Sequence, residues 1–188
     1  TMYMIGHSHL DIAWKWPVNE TRRKCGRTFS NQLALIEEYD EYRYLNPQPF
    51  LYELLKENYP DIFARVKEQV QNGKIIPDGA LYVESDTNLP CGESLIRQFM
   101  FGKKYFMEEF GVESNVCWLP DAFGYSASFP QIMSGCGVKY FTTSKILWCY
   151  NDGEQFPYIT FYWQGADGTK VLAHNHNEYN AHSRAAFV

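Results

Sequence analysis

Near its start the chain reads GHSHLDIAWKWP from Gly6 to Pro17. Along extended backbone, alternate side chains point to one side, so His7, His9 and Asp11 share a face. Imidazole and carboxylate together suit a borderline cation such as zinc, which takes nitrogen and oxygen donors in one small site. The same spacing also fits one or two imidazoles satisfied in a core beside a capping aspartate. A second stretch, VCWLPDAFGYSASFPQIM from Val116 to Met133, sets Asp121 between Pro120 and a turn at Gly124. Trp118, Phe123 and Tyr125 flank it. A carboxylate among aromatic rings suits a sugar, whose C–H faces stack on rings while its hydroxyls take hydrogen bonds. By itself Asp121 reads equally as a turn or helix-capping residue, and only its combination with the first stretch is informative.

The elements that must position these residues follow from periodicity. Met2–Ile5 is a short apolar run that ends at Gly6 and predicts a buried strand. Asn19 can cap a helix running to about Tyr39, with Leu33, Leu35 and Ile36 on its apolar face. Leu51–Gln71 is helical, broken near Tyr59-Pro60-Asp61, and Asn72-Gly73 stops it. Lys74–Val83 is extended, Glu93–Phe110 is an amphipathic helix, and Ser114–Leu119 is a strand. Pro130–Ser134 starts a short helix, Lys139–Thr143 is a strand, and Phe156–Ala173 reads as a hairpin turned at Asp167-Gly168. Strands alternating with helices imply an α/β fold with a parallel sheet, barrel or doubly wound, and no internal boundary interrupts residues 1–188. His7, His9 and Asp11 follow the first strand, Glu84 and Asp86 the second, Asp121 the third and Lys145 the fourth. In a parallel sheet these ends lie on one face, where such folds keep their active sites.

Composition narrows the function. Of 188 residues, 45% are hydrophobic and 21% charged, which supports a folded core rather than a disordered tail. Seventeen Lys plus Arg against 22 Asp plus Glu leave a net charge of −5, no footprint for nucleic acid or an anionic membrane. No apolar run reaches the roughly 18 residues of a membrane span. Cys25, Cys91, Cys117, Cys136 and Cys149 are odd in number and contain no C-x-x-C, against a disulfide framework or a thiolate zinc knot. A reducing, cytoplasmic setting is the expectation.

The two quoted stretches resemble the motifs of glycoside hydrolase family 38, the α-mannosidases. VESDTNLPCGESLIRQFMFGKKYF, from Val83 to Phe106, is similar to the branch that holds cytosolic and many bacterial members. The resemblance runs from about Tyr3 to Ala173. It implies a (β/α) barrel-like catalytic domain of the glycoside hydrolase/deacetylase type, of which this segment supplies only part. It implies one Zn2+ held by His9, Asp11, Asp121 and a later histidine, with His7 the less favoured of its pair. Asp121 is then also the catalytic nucleophile of a retaining hydrolysis of terminal α-linked mannose. Trp14 stacks under the sugar, and Asp86, Phe123 and Lys145 fall where the family places further substrate contacts.

The resemblance places the acid/base residue and the fourth zinc ligand beyond Val188, so the isolated segment is expected to be inactive. In a retaining enzyme that second carboxyl sits about 5–5.5 Å from the nucleophile. Glu84 receives no role. His174, Asn175, His176, Glu178 and His182 read as a polar loop after the hairpin, with the role of His174 and His176 open. The partner is a mannose-containing oligosaccharide or glycan, and homo-oligomerisation of the full-length protein stays open. Two alternatives remain: a zinc-dependent carbohydrate deacetylase or amidohydrolase, and a non-catalytic carbohydrate-binding segment.

Overall fold

The computed structural model describes residues 5–148 and 156–176. In chain order its elements are β1 (Gly6–His7), α1 (Val18–Glu38), β2 (Tyr44–Leu45), α2 (Pro49–Asn58) and α3 (Pro60–Gln71). They continue with β3 (Ile75–Ile76), α4 (Gly92–Phe110), β4 (Val116–Trp118), α5 (Phe129–Gly135) and β5 (Tyr140–Thr143). A 3-10 turn (Lys145–Trp148) follows β5, and β6 (Thr160–Gln164) and β7 (Lys170–Asn175) close the series.

The strands form two sheets. β1, β2 and β3 run parallel in that order. The second sheet has the order β4-β5-β7-β6, parallel except for the antiparallel hairpin of β6 and β7. Among the described residues neither sheet closes on itself, so the mixed α/β fold with parallel strands is present without a completed barrel. The two sheets approach where the Trp118 N–H donates to the Gly79 carbonyl at 3.4 Å, and the Gly79 N–H donates to Ser114 Oγ at 3.3 Å.

Several local expectations shift. Helix α1 begins at Val18 rather than beyond Asn19, because Pro17 sets the entering backbone and the Glu20 N–H closes onto its carbonyl at 2.9 Å. Asn19 instead accepts from Arg22 Nη1 at 3.1 Å. The first strand appears as Gly6–His7, and the part of that expectation on residues 2–4 lies outside the described residues. β2 went unread because two residues carry no periodicity. The break at Pro60 is where proline requires it: with no N–H to donate, it opens α3 at its first position. The hairpin turns through Asp167 and Gly168, where Gly168 has φ +89° and Asp167 Oδ1 accepts the Thr169 N–H at 3.0 Å.

Two apolar cores fill the space between layers. One gathers Cys25, Phe29 and Leu33 of α1, Tyr44, Leu51, Tyr52 and Leu55, Val66 of α3 and Ile75. The other gathers Cys117 and Leu119, Phe129 and Met133 of α5, Phe141, Val171 and Ala173. Helix α4 serves both, giving Phe106 to the first and Leu95 and Phe99 to the second. Its Gly102 lies so close to the chain after β3 that a Cβ there would sit 2.3 Å from the Ala80 carbonyl oxygen. That contact lets α4 hold the following segment: the Tyr82 N–H donates to the Gln98 carbonyl, and the Val83 N–H to Gln98 Oε1, both at 3.0 Å. Glu84 comes next. No helix among the described residues is long and apolar enough to cross a membrane.

Candidate metal centre and substrate site

Three loops that leave strand ends bring the site together. The first follows β1. Its backbone is fixed to α1 by the buried Thr21, whose hydroxyl donates to the Ile12 carbonyl at 2.6 Å and accepts from Trp16 Nε1 at 3.1 Å. The loop after β4 is pinned twice. Ser144 Oγ donates to the Pro120 carbonyl at 2.9 Å, and the Tyr125 hydroxyl donates to the Leu119 carbonyl at 3.2 Å. The loop after β3 is tied to it by Thr87 Oγ1, which donates to the Gly124 carbonyl at 2.8 Å.

Within this frame His9, Asp11 and Asp121 each turn a donor atom inward, and the three atoms lie within 4.8 Å of one another. His9 Nε2 is 3.4 Å from Asp11 Oδ1 and 3.2 Å from Asp121 Oδ2. Donors bonded at 2.0–2.1 Å around a tetrahedral zinc are spaced about 3.3 Å apart, so the separations and the nitrogen–oxygen donor set both fit such an ion. His9 Nδ1 meets Glu84 Oε2 at 2.7 Å, where the Glu84 side chain is 6% exposed. Burial disfavours a charged His9, yet the Glu84 hydrogen bond and the charges of Glu84, Asp11 and Asp121 outweigh it and push the imidazole up to about 9. The two aspartates beside Nε2 thus favour positive charge at that nitrogen, which is also where they would favour a cation.

His7 does not join this cluster. β1 ends at His7, so the alternation assumed over three residues survives only for His9 and Asp11. Both ring nitrogens of His7 are engaged, Nδ1 with the Leu45 carbonyl at 3.1 Å and Nε2 accepting from Trp118 Nε1 at 3.3 Å. Burial takes its imidazole down to about 4.

The expected substrate contacts divide. Lys145 Nζ is 2.6 Å from Asp121 Oδ1 and 5.2 Å from the Phe123 ring centre, so these three form one group. Phe123 is 76% exposed and Trp14 64%, each offering a ring to solvent. Trp14 meets Trp16 edge-on at 5.5 Å, which braces its ring. Asp86 holds its own loop: Oδ1 accepts the Asn88 and Leu89 N–H groups, each at 2.7 Å, and no contact among the described residues joins it to the triad. Tyr125 turns inward against Phe141 and does not wall the site.

Two residues that the sequence names without a role have defined partners. Glu84 is legible as a strand-end carboxylate beside Asp86, but nothing in the sequence says which histidine it meets. His176 stacks on Trp118, with ring centres 5.4 Å apart and planes at 20°, and its Nδ1 is 3.1 Å from Thr142 Oγ1. His174 points elsewhere, to Thr160 Oγ1 at 2.9 Å. Glu178 and His182 lie outside the described residues.

Fold and site together define a class: a parallel-stranded α/β domain with a candidate metal centre where its strands end. The family described as glycosyl hydrolases family 38 N-terminal domain matches residues 1–186, and the chain belongs to that family. It is 43% identical to alpha-mannosidase G of Dictyostelium discoideum over 92% of this chain and 16% of that protein. It is 45% identical to alpha-mannosidase 2C1 of Mus musculus over 93% of this chain and 17% of that protein. The chain therefore spans about a sixth of the length of these curated relatives. Among solved structures, an alpha-mannosidase from Enterococcus faecalis V583 superposes with a TM-score of 0.79 at 25% identity, over 92% of this chain and 20% of that one. A 4-alpha-glucanotransferase from Thermococcus litoralis shares the fold at a TM-score of 0.63 and 16% identity, over 91% of this chain and 26% of that one.

Proposed function

We propose that this chain is the nucleophile-bearing part of a zinc-dependent retaining α-mannosidase. Its substrate is terminal α-linked mannose on an oligosaccharide or glycan. The observation that carries the reading is the double engagement of Asp121. One carboxylate oxygen faces His9 in the candidate metal centre and the other faces Lys145. A group so placed can touch a bound ion and still direct an oxygen at a sugar carbon. Family membership supports glycoside hydrolysis, and the alpha-mannosidase relatives support mannose.

In this reading His9, Asp11 and Asp121 hold zinc, for which an imidazole and two carboxylates are a suitable donor set. When bound, the ion supplies a fixed charge that can take sugar hydroxyls and favour a distorted ring. Asp121 attacks the anomeric carbon: a bond forms between its oxygen and that carbon, and the bond to the leaving oxygen breaks. A second carboxyl, assigned by the resemblance to a position beyond Val188, protonates the leaving oxygen and then activates the water that releases mannose. Lys145 steers the Asp121 carboxylate, Trp14 offers a face to the sugar, and Phe123 and Asp86 complete the contacts. The strands are read as one side of a barrel completed by further chain. Cys25, Cys91, Cys117 and Cys136 are free thiols, Cys91 exposed among them, which supports a reducing cytoplasmic setting.

The test is hydrolysis of an aryl α-mannoside by the complete enzyme, with and without a zinc chelator. It is paired with trapping by a fluorinated mannoside and mass spectrometry of the peptide around Asp121. The expected result is chelator-sensitive release and a covalent adduct on Asp121. A folded, zinc-loaded protein that releases nothing and forms no adduct would exclude the glycosidase reading. Acetate release from an acetylated sugar would then make it a deacetylase.

A further inference from the structure

Behind the triad lies a buried polar chain that the proposed reaction does not use. Glu84 Oε2 is 2.7 Å from His9 Nδ1, on the side of the ring away from Asp11 and Asp121. Its other oxygen, Oε1, is buried with no hydrogen-bond partner among the described residues. A carboxylate kept dry with half of its acceptor capacity unused is poor structural cement, because an unpaired buried polar atom costs about 1–3 kcal/mol. Among the described residues its side-chain hydrogen bond is to the imidazole.

Gln48, 1% exposed, fixes where Glu84 stands. Its Oε1 accepts the Glu84 N–H at 3.0 Å, and its Nε2 donates to the Leu10 carbonyl at 2.9 Å. One amide therefore joins the loop that carries His9 and Asp11 to the loop that carries Glu84. Gln48 is itself held by Asn46, whose Oδ1 accepts the Gln48 N–H at 3.2 Å. Asn46 directly follows β2, between the two strands whose loops are joined.

We infer that Glu84, held in register by Gln48, is the positioning residue of the metal centre, accepting the His9 Nδ1 hydrogen so that Nε2 is the nitrogen offered to the ion. The inference rests on the reading of His9, Asp11 and Asp121 as a metal centre. Imidazole can carry its proton on either nitrogen, and an acceptor at one nitrogen selects the lone pair at the other. A carboxylate in that place also raises the basicity of the liganding nitrogen, and losing such a partner typically weakens metal binding about 10–100-fold.

The experiment compares the complete enzyme with its Glu84→Gln, Glu84→Leu and Asp11→Ala variants. It reads the zinc Kd by chelator competition, the absorption spectrum of the cobalt-loaded proteins, and the melting temperature of the metal-free proteins. Glu84→Leu is expected to bind zinc about 10–100-fold more weakly. Glu84→Gln keeps an acceptor without its charge, so it falls between Leu and wild type, and both variants shift the cobalt bands. A purely structural role would lower the melting temperature and leave the cobalt spectrum in place. Wild-type zinc affinity and cobalt spectrum in the Glu84 variants, with zinc lost in Asp11→Ala, would overturn the inference. Should Glu84→Leu not fold, the same result in Glu84→Gln alone overturns it. If Asp11→Ala binds zinc as wild type does, the metal-centre reading fails first and takes this inference with it.

Discussion

Lys145 reaches from the turn after β5 to Asp121 in the loop after β4, and its ammonium stands 2.6 Å from Oδ1. The two residues are 24 positions apart in the chain and meet because β4 and β5 pair in parallel, Trp118 opposite Thr142. Both side chains are mostly shielded, at 11% and 20% exposure, so water screens the pair less than a surface ion pair.

Removing that ammonium should therefore be felt in catalysis. A hydrogen bond to a charged group contributes about 1.5–3 kcal/mol, so Lys145→Met in the complete enzyme should lower kcat/KM roughly 10–150-fold. Zinc content should stay at the wild-type level, because Lys145 Nζ contacts the Asp121 oxygen that faces away from His9. Lys145→Arg, which keeps the charge, should retain more activity than Lys145→Met. Steady-state kinetics alongside metal analysis check all three statements.

Trp14 is 64% exposed, and its removal deprives the core of little. Trp14→Ala is expected to raise KM for an aryl α-mannoside about tenfold, the loss of one ring-to-sugar contact of about 1.4 kcal/mol. The melting temperature should move little. A KM equal to wild type would remove Trp14 from the sugar site.

Gly102 should be intolerant of any side chain. A Cβ there would stand 2.3 Å from the Ala80 oxygen and 2.5 Å from the Leu81 carbonyl carbon, both backbone atoms that cannot swing aside. Gly102→Ala should destabilise the fold by about 1–3 kcal/mol, as overpacking does. Because the displaced segment leads to Glu84, zinc affinity should fall with it. Chemical denaturation and metal titration read the two effects separately.

Glu109 offers a pH test away from the site. The hydrogen bond from Lys56 holds its carboxyl below the ordinary carboxylate range, against a smaller opposing effect of burial, and Lys67 adds to the pull. A carboxyl depressed on folding contributes stability at pH above its unfolded value near 4.5 and loses it as pH falls through the lower folded value. Glu109→Gln should accordingly lower stability at neutral pH, and the difference from wild type should close on acidification. Lys56 and Lys67 are 52% and 41% exposed, so the effect is small and should shrink in high salt.

The sequence by itself determined the candidate donors and most of the frame. Spacing set His7, His9 and Asp11 on one face without choosing among them and left Asp121 as much a turn residue as a ligand. It was the resemblance of the two motifs to the family that singled out His9, Asp11 and Asp121. The helices were legible where a buried face repeats every three or four residues, as at Leu33 and Ile36 of α1. Proline placed the break between α2 and α3 without any help from packing.

Tertiary structure decided the rest, since partner choice across the chain leaves no local trace. Glu84 lies 75 residues from His9, and the approach of α4 at Gly102 together with the Gln48 amide sets it where it can reach that ring. Gln48 reads as an ordinary residue between two prolines until β2 places its amide between two loops. His7 has the same chemistry as His9 and nearly the same address, yet Leu45 and Trp118 take both of its nitrogens. A sequence states which groups are available. Which of them face one another is fixed by the sheets and helices that carry them, because burial and strand pairing act across the whole chain at once.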